Sequence, residues 1–339
     1  MTDSKKDVIL WHKTSSYLQE KMKRLAYIDQ ISGLMICYMI VYHALQFCDM
    51  RDLNQSYLMR TLAFFMFWFF YKSGMFYKEK GTKEILHDGC KKLMVPFAVF
   101  SLLGHLSMII HMYVSGDHWW VHYILSPIKS LLLNGAVEGN IPLWFLPSLL
   151  CVQLLYAFMH PKMRDEWICL LSIGVAYLTY KLDLHYPTYI GNVALGLFAY
   201  SIGHRLKDVQ YSRKLFIIAT ISYLTVYFIQ PYSIDLRVNY LFMGYYPLAV
   251  LFNLFGCVLI NNLFKTISGH FRLLEYVGVR SMSFYVMHWF VLNVCLWTFN
   301  LSHWALFSII IISCIIILPL FNKMIYAFKL EWILGIKRK

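Results

Sequence analysis

Apolar residues run along this chain in blocks of roughly twenty, the number a helix needs to cross a hydrocarbon core about 30 Å thick. The blocks fall near 31–49, 59–77, 94–113, 141–160, 167–180, 188–203, 215–231, 240–263, 281–299 and 304–322. The pattern predicts an all-α fold, a polytopic transmembrane bundle of about ten spans. The fifth block is cut short by Lys181 and Asp183. The moderately apolar stretch from Trp119 to Asn140 contains Pro127, Lys129 and Gly135. It predicts an outer loop that re-enters the bundle where protein or water satisfies its backbone.

Polar residues break the blocks in a helical rhythm. In IDQISGLMICYMIVYHALQF, residues 28–47, steps of one turn back from His43 reach Met39, Ile36, Ser32 and Asp29, and one turn forward lies Gln46. A neutral imidazole carries a donor and an acceptor that lipid cannot satisfy, so such a stripe faces protein or a wet cavity. VGVRSMSFYVMHWF, residues 277–290, repeats the device, with His288 one turn past Tyr285 and two past Ser281.

Two basic interruptions are ambiguous by themselves. Lys72, in FFYKSGMFYK, could snorkel to headgroups or hold an anion. Lys91 and Lys92, in CKKLMVPF, could bind the phosphates of a nucleotide-bearing donor or serve as ordinary anchors.

Composition fits a membrane protein: 59% of residues are hydrophobic and 14% charged. The net charge is +13. In the ten-span reading, 25 of the 31 Lys and Arg gather on one side, in 1–30, 78–93, 160–166, 204–214, 264–280 and 323–339. The positive-inside rule makes that side, and both termini, cytoplasmic. Arg51, Arg60, Lys72, Lys129, Lys181 and Arg237 are left over. Anionic lipid accounts for the basic surface, and no nucleic-acid partner is expected.

The chain divides into a cytoplasmic N-terminal segment (1–30), a transmembrane domain (31–322) and a basic cytoplasmic tail (323–339). Ser16 and Gln19 at capping-box spacing, with Leu18, Met22 and Leu25, predict an interfacial helix in the first segment. The tail EWILGIKRK could lie on the inner leaflet in the same way. No cleavable leader is expected, because the first apolar block serves as the insertion signal. The eight cysteines are scattered, with no CxxC pair and no histidine at zinc-ligand spacing, so no metal is expected. Phosphate-binding and dinucleotide-binding glycine motifs are absent from the sequence.

Five short motifs, in order, carry a family resemblance. They are R-x-x-x-I-D-x-x-x-G with a later histidine (Arg24, Asp29, Gly33, His43), S-G (Ser73, Gly74), a basic pair with L-x-x-P (Lys91, Lys92, Leu93, Pro96), L-W-F-L (143–146), and S-x-x-x-Y-x-x-H (Ser281, Tyr285, His288). The chain resembles acyltransferase family 3, bacterial integral-membrane O-acyltransferases of surface carbohydrates. The resemblance implies ten helices in the bacterial plasma membrane, a cytoplasmic acyl-CoA donor, most often acetyl-CoA, and a sugar hydroxyl of a surface glycan or lipid-linked precursor as acceptor. It also implies that His43 is the essential histidine. The chain departs from the family where many members carry a cation three residues after the first-span Asp, for here stands Ser32. Lys72 is the candidate replacement.

The chemistry suits the stripe. Acyl transfer to a hydroxyl needs a base and oxyanion donors, and a neutral histidine, with an ordinary pKa of about 6.5, suits the first task. His43 is the expected base, its tautomer set by Glu138, Tyr285 or His288. Lys72, Lys91 and Lys92 are the expected donor-binding residues. Asp29, Ser32, Glu138, Trp144, Tyr285 and His288 are expected to orient groups or bind the acceptor, with His118 and Asn140 nearby on the outer loop. Trp119 and Trp120 fit an interfacial belt better than sugar stacking. The rival reading is a transporter or flippase of a glycan, although no inverted repeat is visible.

Overall fold

The computed structural model describes residues 26–119, 123–124, 126–229, 234–241, 243–267 and 269–336. The expected interfacial helix, Arg24 and Trp120 lie outside these residues. Ten long helices are described: α1 (Ala26–Phe47), α2 (Phe65–Met75), α3 (Val95–Val114), α4 (Phe145–Met159), α5 (Asp165–Lys181), α6 (Tyr189–Leu206), α7 (Arg213–Ile229), α8 (Tyr246–Thr266), α9 (Ser281–Thr298) and α10 (His303–Ala327). Each overlaps one apolar block. The fold is all-helical, and among the described residues the sole β feature is an isolated bridge, Asp235 to Tyr240. Five helical runs are long and apolar enough to cross a membrane: Ala26–Phe47, Thr82–Val114, Pro127–Met159, Tyr246–Thr266 and His303–Ala327.

α6 sits at the centre, with every residue from Gly191 to Ser201 buried. It crosses α2 through glycines. A Cβ on Gly74 would lie 1.9 Å from Tyr200 O, and one on Gly203 would lie 2.1 Å from Tyr71 O. Small residues let the two backbones touch, the packing that holds helices together where no hydrophobic effect drives them. Gly33 serves α1 likewise, since its Cβ would lie 1.9 Å from Leu274 O in the short helix Arg272–Val279. A buried amide network ties α2 to α8: Trp68 Nε1 donates to Asn261 Oδ1 (3.1 Å), while Asn261 Nδ2 and Tyr71 OH both donate to Gln210 Oε1 (3.0 and 2.9 Å).

The second block is not one continuous helix. A four-residue helix, Tyr57–Arg60, is followed by a break and then by α2, whose eleven residues rise only about 16 Å. Backbone groups freed by such a break need partners inside a membrane protein. Tyrosines supply them. Tyr227 OH donates to Tyr57 O (2.7 Å), Tyr38 OH to Met59 O (2.7 Å) and Tyr223 OH to Thr61 O (2.5 Å).

A helix (Thr82–Gly89) leads into α3 through a π turn, Cys90–Met94, just before Pro96. Proline has no N–H to give Lys92 O, its helical acceptor. The described part of the C-terminal segment folds against this spot. Glu331–Leu334 forms a 3₁₀ turn with Leu334 buried, and Gly335, at φ 70°, packs so closely that a Cβ would lie 2.5 Å from Lys92 O.

The loop after α3 does enter the bundle. Pro127–Asn134 is helical, and the following 3₁₀ strap, Glu138–Trp144, packs between α3 and α9. Gly139 meets Gly104 O, 2.0 Å from where its Cβ would be. Asn140 Nδ2 donates to Val286 O at 3.1 Å.

Gly203→Val should push α6 off α2, at a cost of about 1–3 kcal/mol or more, read as a lower melting temperature in detergent or loss of folded protein. Gly174→Ala, on α5 where nothing lies within 4 Å, should melt at or above the wild-type temperature. Equal melting of Gly203→Val and wild type would refute the close crossing.

Candidate active site

A cavity of about 630 Å³ opens where the second block is broken. Tyr38, Tyr42, His43 and Gln46 of α1 form one wall, and Met59, Arg60 and Ala63 of the broken segment another. Pro142 and Trp144 of the strap, Asp235 and Arg237 of the α7–α8 loop, and Tyr285 and Trp289 of α9 complete it.

His43 faces this space. Its Nδ1 lies 3.0 Å from Gln46 Oε1. Oε1 can only accept, so Nδ1 carries the hydrogen and Nε2 keeps the lone pair. The tautomer partner is therefore Gln46, three residues along the same helix, and not Glu138, Tyr285 or His288. His288 instead stacks on the His43 ring, with centroids 5.5 Å apart and planes 23° apart, while Trp289 meets it edge-on at 5.2 Å.

His288 is fully buried. Its Nδ1–H donates to Tyr285 O at 2.6 Å, and its Nε2 has no partner within the described residues. Tyr285 OH donates to Pro142 O, fixing the strap to α9. Trp144 is buried against the cavity. Glu138 is exposed and does not line the cavity. Asn140 is buried, and its amide holds the strap instead of facing the space. His118 and Trp119 are exposed.

A second polar group sits on the same face of α1. Ser32 precedes His43 by eleven residues, three turns or about 16 Å. Lys72 Nζ donates to Ser32 Oγ at 2.7 Å, Ser32 Oγ donates to Ile28 O at 2.7 Å, and the ammonium stands 5.4 Å above the Trp68 ring. Asp29 lies within electrostatic reach of Lys72. The structure thus brings Lys72 and Ser32 together. Neither Ser32 nor Lys72 lines the cavity. Lys91 and Lys92 are apart from both groups, exposed on the π turn, with Lys92 Nζ 3.9 Å from Asp88.

Several cavity residues were not selected by motif. Arg51, Arg60 and Arg237 all line the cavity. They are three of the six basic residues that fall off the basic side, and that displacement was the signal for them. Arg60 spreads over Tyr57 and Tyr227, 4.8 and 4.6 Å from the ring centroids. Arg51 pairs with Asp49 at 2.9 Å. Burial pushes the Asp235 carboxyl up from its ordinary value, against the pull of Arg237 and of backbone N–H groups. The arrangement is an aromatic-lined chamber that carries one histidine, three arginines and two aspartates.

A family model described as an acyltransferase domain matches residues 25–322. No curated protein and no solved structure matches the chain.

Tyr285→Phe leaves Pro142 O without its donor and should cost about 1–3 kcal/mol, seen as a lower melting temperature with insertion intact. An unchanged melting temperature would show that this bond does not hold the strap.

Proposed function

The chain belongs to that acyltransferase family, and from that premise we propose that it is a multi-pass O-acyltransferase of the bacterial plasma membrane. It moves an acyl group, acetyl in the first instance, from cytoplasmic acyl-CoA to a sugar hydroxyl of a surface glycan or its lipid-linked precursor. In this reading all ten helices cross the bilayer and both termini are cytoplasmic. One observation carries the proposal: His43 lines the chamber, with its Nδ1 committed to Gln46.

In the proposed reaction His43 Nε2 takes the proton of the acceptor hydroxyl as the oxygen attacks the thioester carbonyl. A C–O bond forms, the C–S bond breaks, and the departing thiolate takes the proton back from the imidazolium. Trp144 offers the sugar an apolar face, while Arg60 and Arg237 offer it donors.

The donor's anionic end is held at the other end of the stripe by Lys72 beside Ser32, with Lys91 and Lys92 on the approach. A single lysine, held by Ser32 and Asp29, takes the place of the usual cation.

Radiolabelled acyl-CoA incubated with membranes and glycan acceptor tests the reading directly. His43→Ala should accumulate normally yet lower transfer by about 10²–10⁴-fold. Undiminished transfer would end the base assignment, and no transfer by the wild type would favour translocation of the glycan instead. Lys72→Met should raise KM for acyl-CoA with a smaller effect on kcat, and the swapped pair Ser32→Arg with Lys72→Ser should recover part of the loss. Lys91→Gln with Lys92→Gln should shift KM the same way. An unchanged KM in both would confine these lysines to topology.

A further inference from the structure

On the basic face, far along the chain from the His43 stripe, three helices bring four ligand-type side chains to one point. Tyr156 and His160 come from the end of α4, Asp165 from the start of α5, and His204 from the end of α6. Tyr156 OH lies 2.7 Å from Asp165 Oδ1, 2.6 Å from His204 Nδ1 and 3.2 Å from His160 Nδ1. His160 Nδ1 is 2.9 Å from Asp165 Oδ1, and His204 Nδ1 is 3.0 Å from Asp165 Oδ2.

These five contacts share at most three hydrogens, one on the phenol and one on each Nδ1. Hydrogen bonding among the four side chains therefore leaves some close contacts without a hydrogen of their own. A cation at the centre removes the deficit, because every lone pair then turns to one point. Ligand atoms, one each from His160, Asp165 and His204, lie within 4.8 Å of one another. Four donors about 2.0–2.1 Å from one tetrahedral ion stand about 3.3 Å apart, wider than the contacts here, which run from 2.6 to 3.2 Å, so the four side chains draw back slightly to admit the ion.

We propose that Tyr156, His160, Asp165 and His204 form a binding site for a first-row divalent cation of the zinc class. Two imidazoles with carboxylate and phenol oxygens suit zinc and its neighbours better than calcium or magnesium, which take oxygen ligands. The ion can enter from solvent, since a surface cavity of about 490 Å³ is lined by His160 and Asp165. Its role is to clamp the ends of α4, α5 and α6 on this face.

Surrounding charge is partly neutralised. Arg164 and Arg205 lie 3.3 and 3.2 Å from Glu166, and Lys162 rests on the Phe158 ring. Lys207 Nζ stands 3.4 Å from His204 Nε2, a long contact that the lysine gives up when Nε2 carries the hydrogen. The ligands at 156, 160, 165 and 204 do not follow a zinc-finger spacing, so the sequence read alone gave no metal signal.

The test uses the full chain in detergent, without added tag histidines and with its free thiols blocked by N-ethylmaleimide. Equilibrium dialysis should find one equivalent of Zn²⁺ per chain, and Co²⁺ should give the intense visible bands of a four-coordinate ion. His160→Ala with His204→Ala, or Asp165→Asn, should weaken Zn²⁺ binding at least ~100-fold, because losing even outer-shell partners costs about 10–100-fold. A wild-type protein that shows no four-coordinate Co²⁺ spectrum, or variants that bind Zn²⁺ as tightly as wild type, would overturn the proposal. Should the variants fail to fold, the wild-type Co²⁺ spectrum decides.

Discussion

Three tyrosine hydroxyls hold the carbonyls of Tyr57, Met59 and Thr61 where the second apolar block loses its helix. In lipid a broken helix is costly unless its freed backbone groups find partners within the protein. Tyr38 from α1 and Tyr223 and Tyr227 from α7 provide them, and a chamber opens beside the break. Met59, Arg60 and Ala63 line it from the broken side and His43 from the other. Those donors satisfy the backbone of the break beside which the space at His43 lies.

The same logic shapes the rest of the site. Tyr285 reaches across to the strap carbonyl of Pro142, and Asn140 reaches back to Val286. Irregular backbone is admitted at depth only where side chains complete it. Glycines do the complementary work, Gly74 and Gly203 bringing α2 and α6 into backbone contact and Gly33 bringing α1 against the short helix Arg272–Val279.

The proposed chemistry and the proposed cation site lie on different helices. α1 carries Ser32 and His43 three turns apart, a spacing that lets a donor's anionic end and a reacting carbonyl occupy two stations on one rail. α4, α5 and α6 carry the side-chain cluster at their ends, where a clamp would fix the central helix α6 against its neighbours.

The sequence by itself determined the helical class, the approximate position of each of the ten helices though not the break in the second block, and the polar stripe of α1, because an apolar environment imposes a length and a periodicity that composition reveals directly. It also singled out His43, which lines the cavity, and Lys72 and Ser32, which lie in contact. It did not show that Gln46 rather than a residue from another helix holds His43, that Glu138 points outward, or that Arg60 and Arg237 share the chamber. Those are matters of which helix face meets which, and of where a helix stops. The tertiary structure decided them, since contacts such as Lys72 to Ser32, forty residues apart, or His160 to His204, forty-four apart, depend on glycine crossings and hydrogen-bonded breaks that leave no local periodic signal.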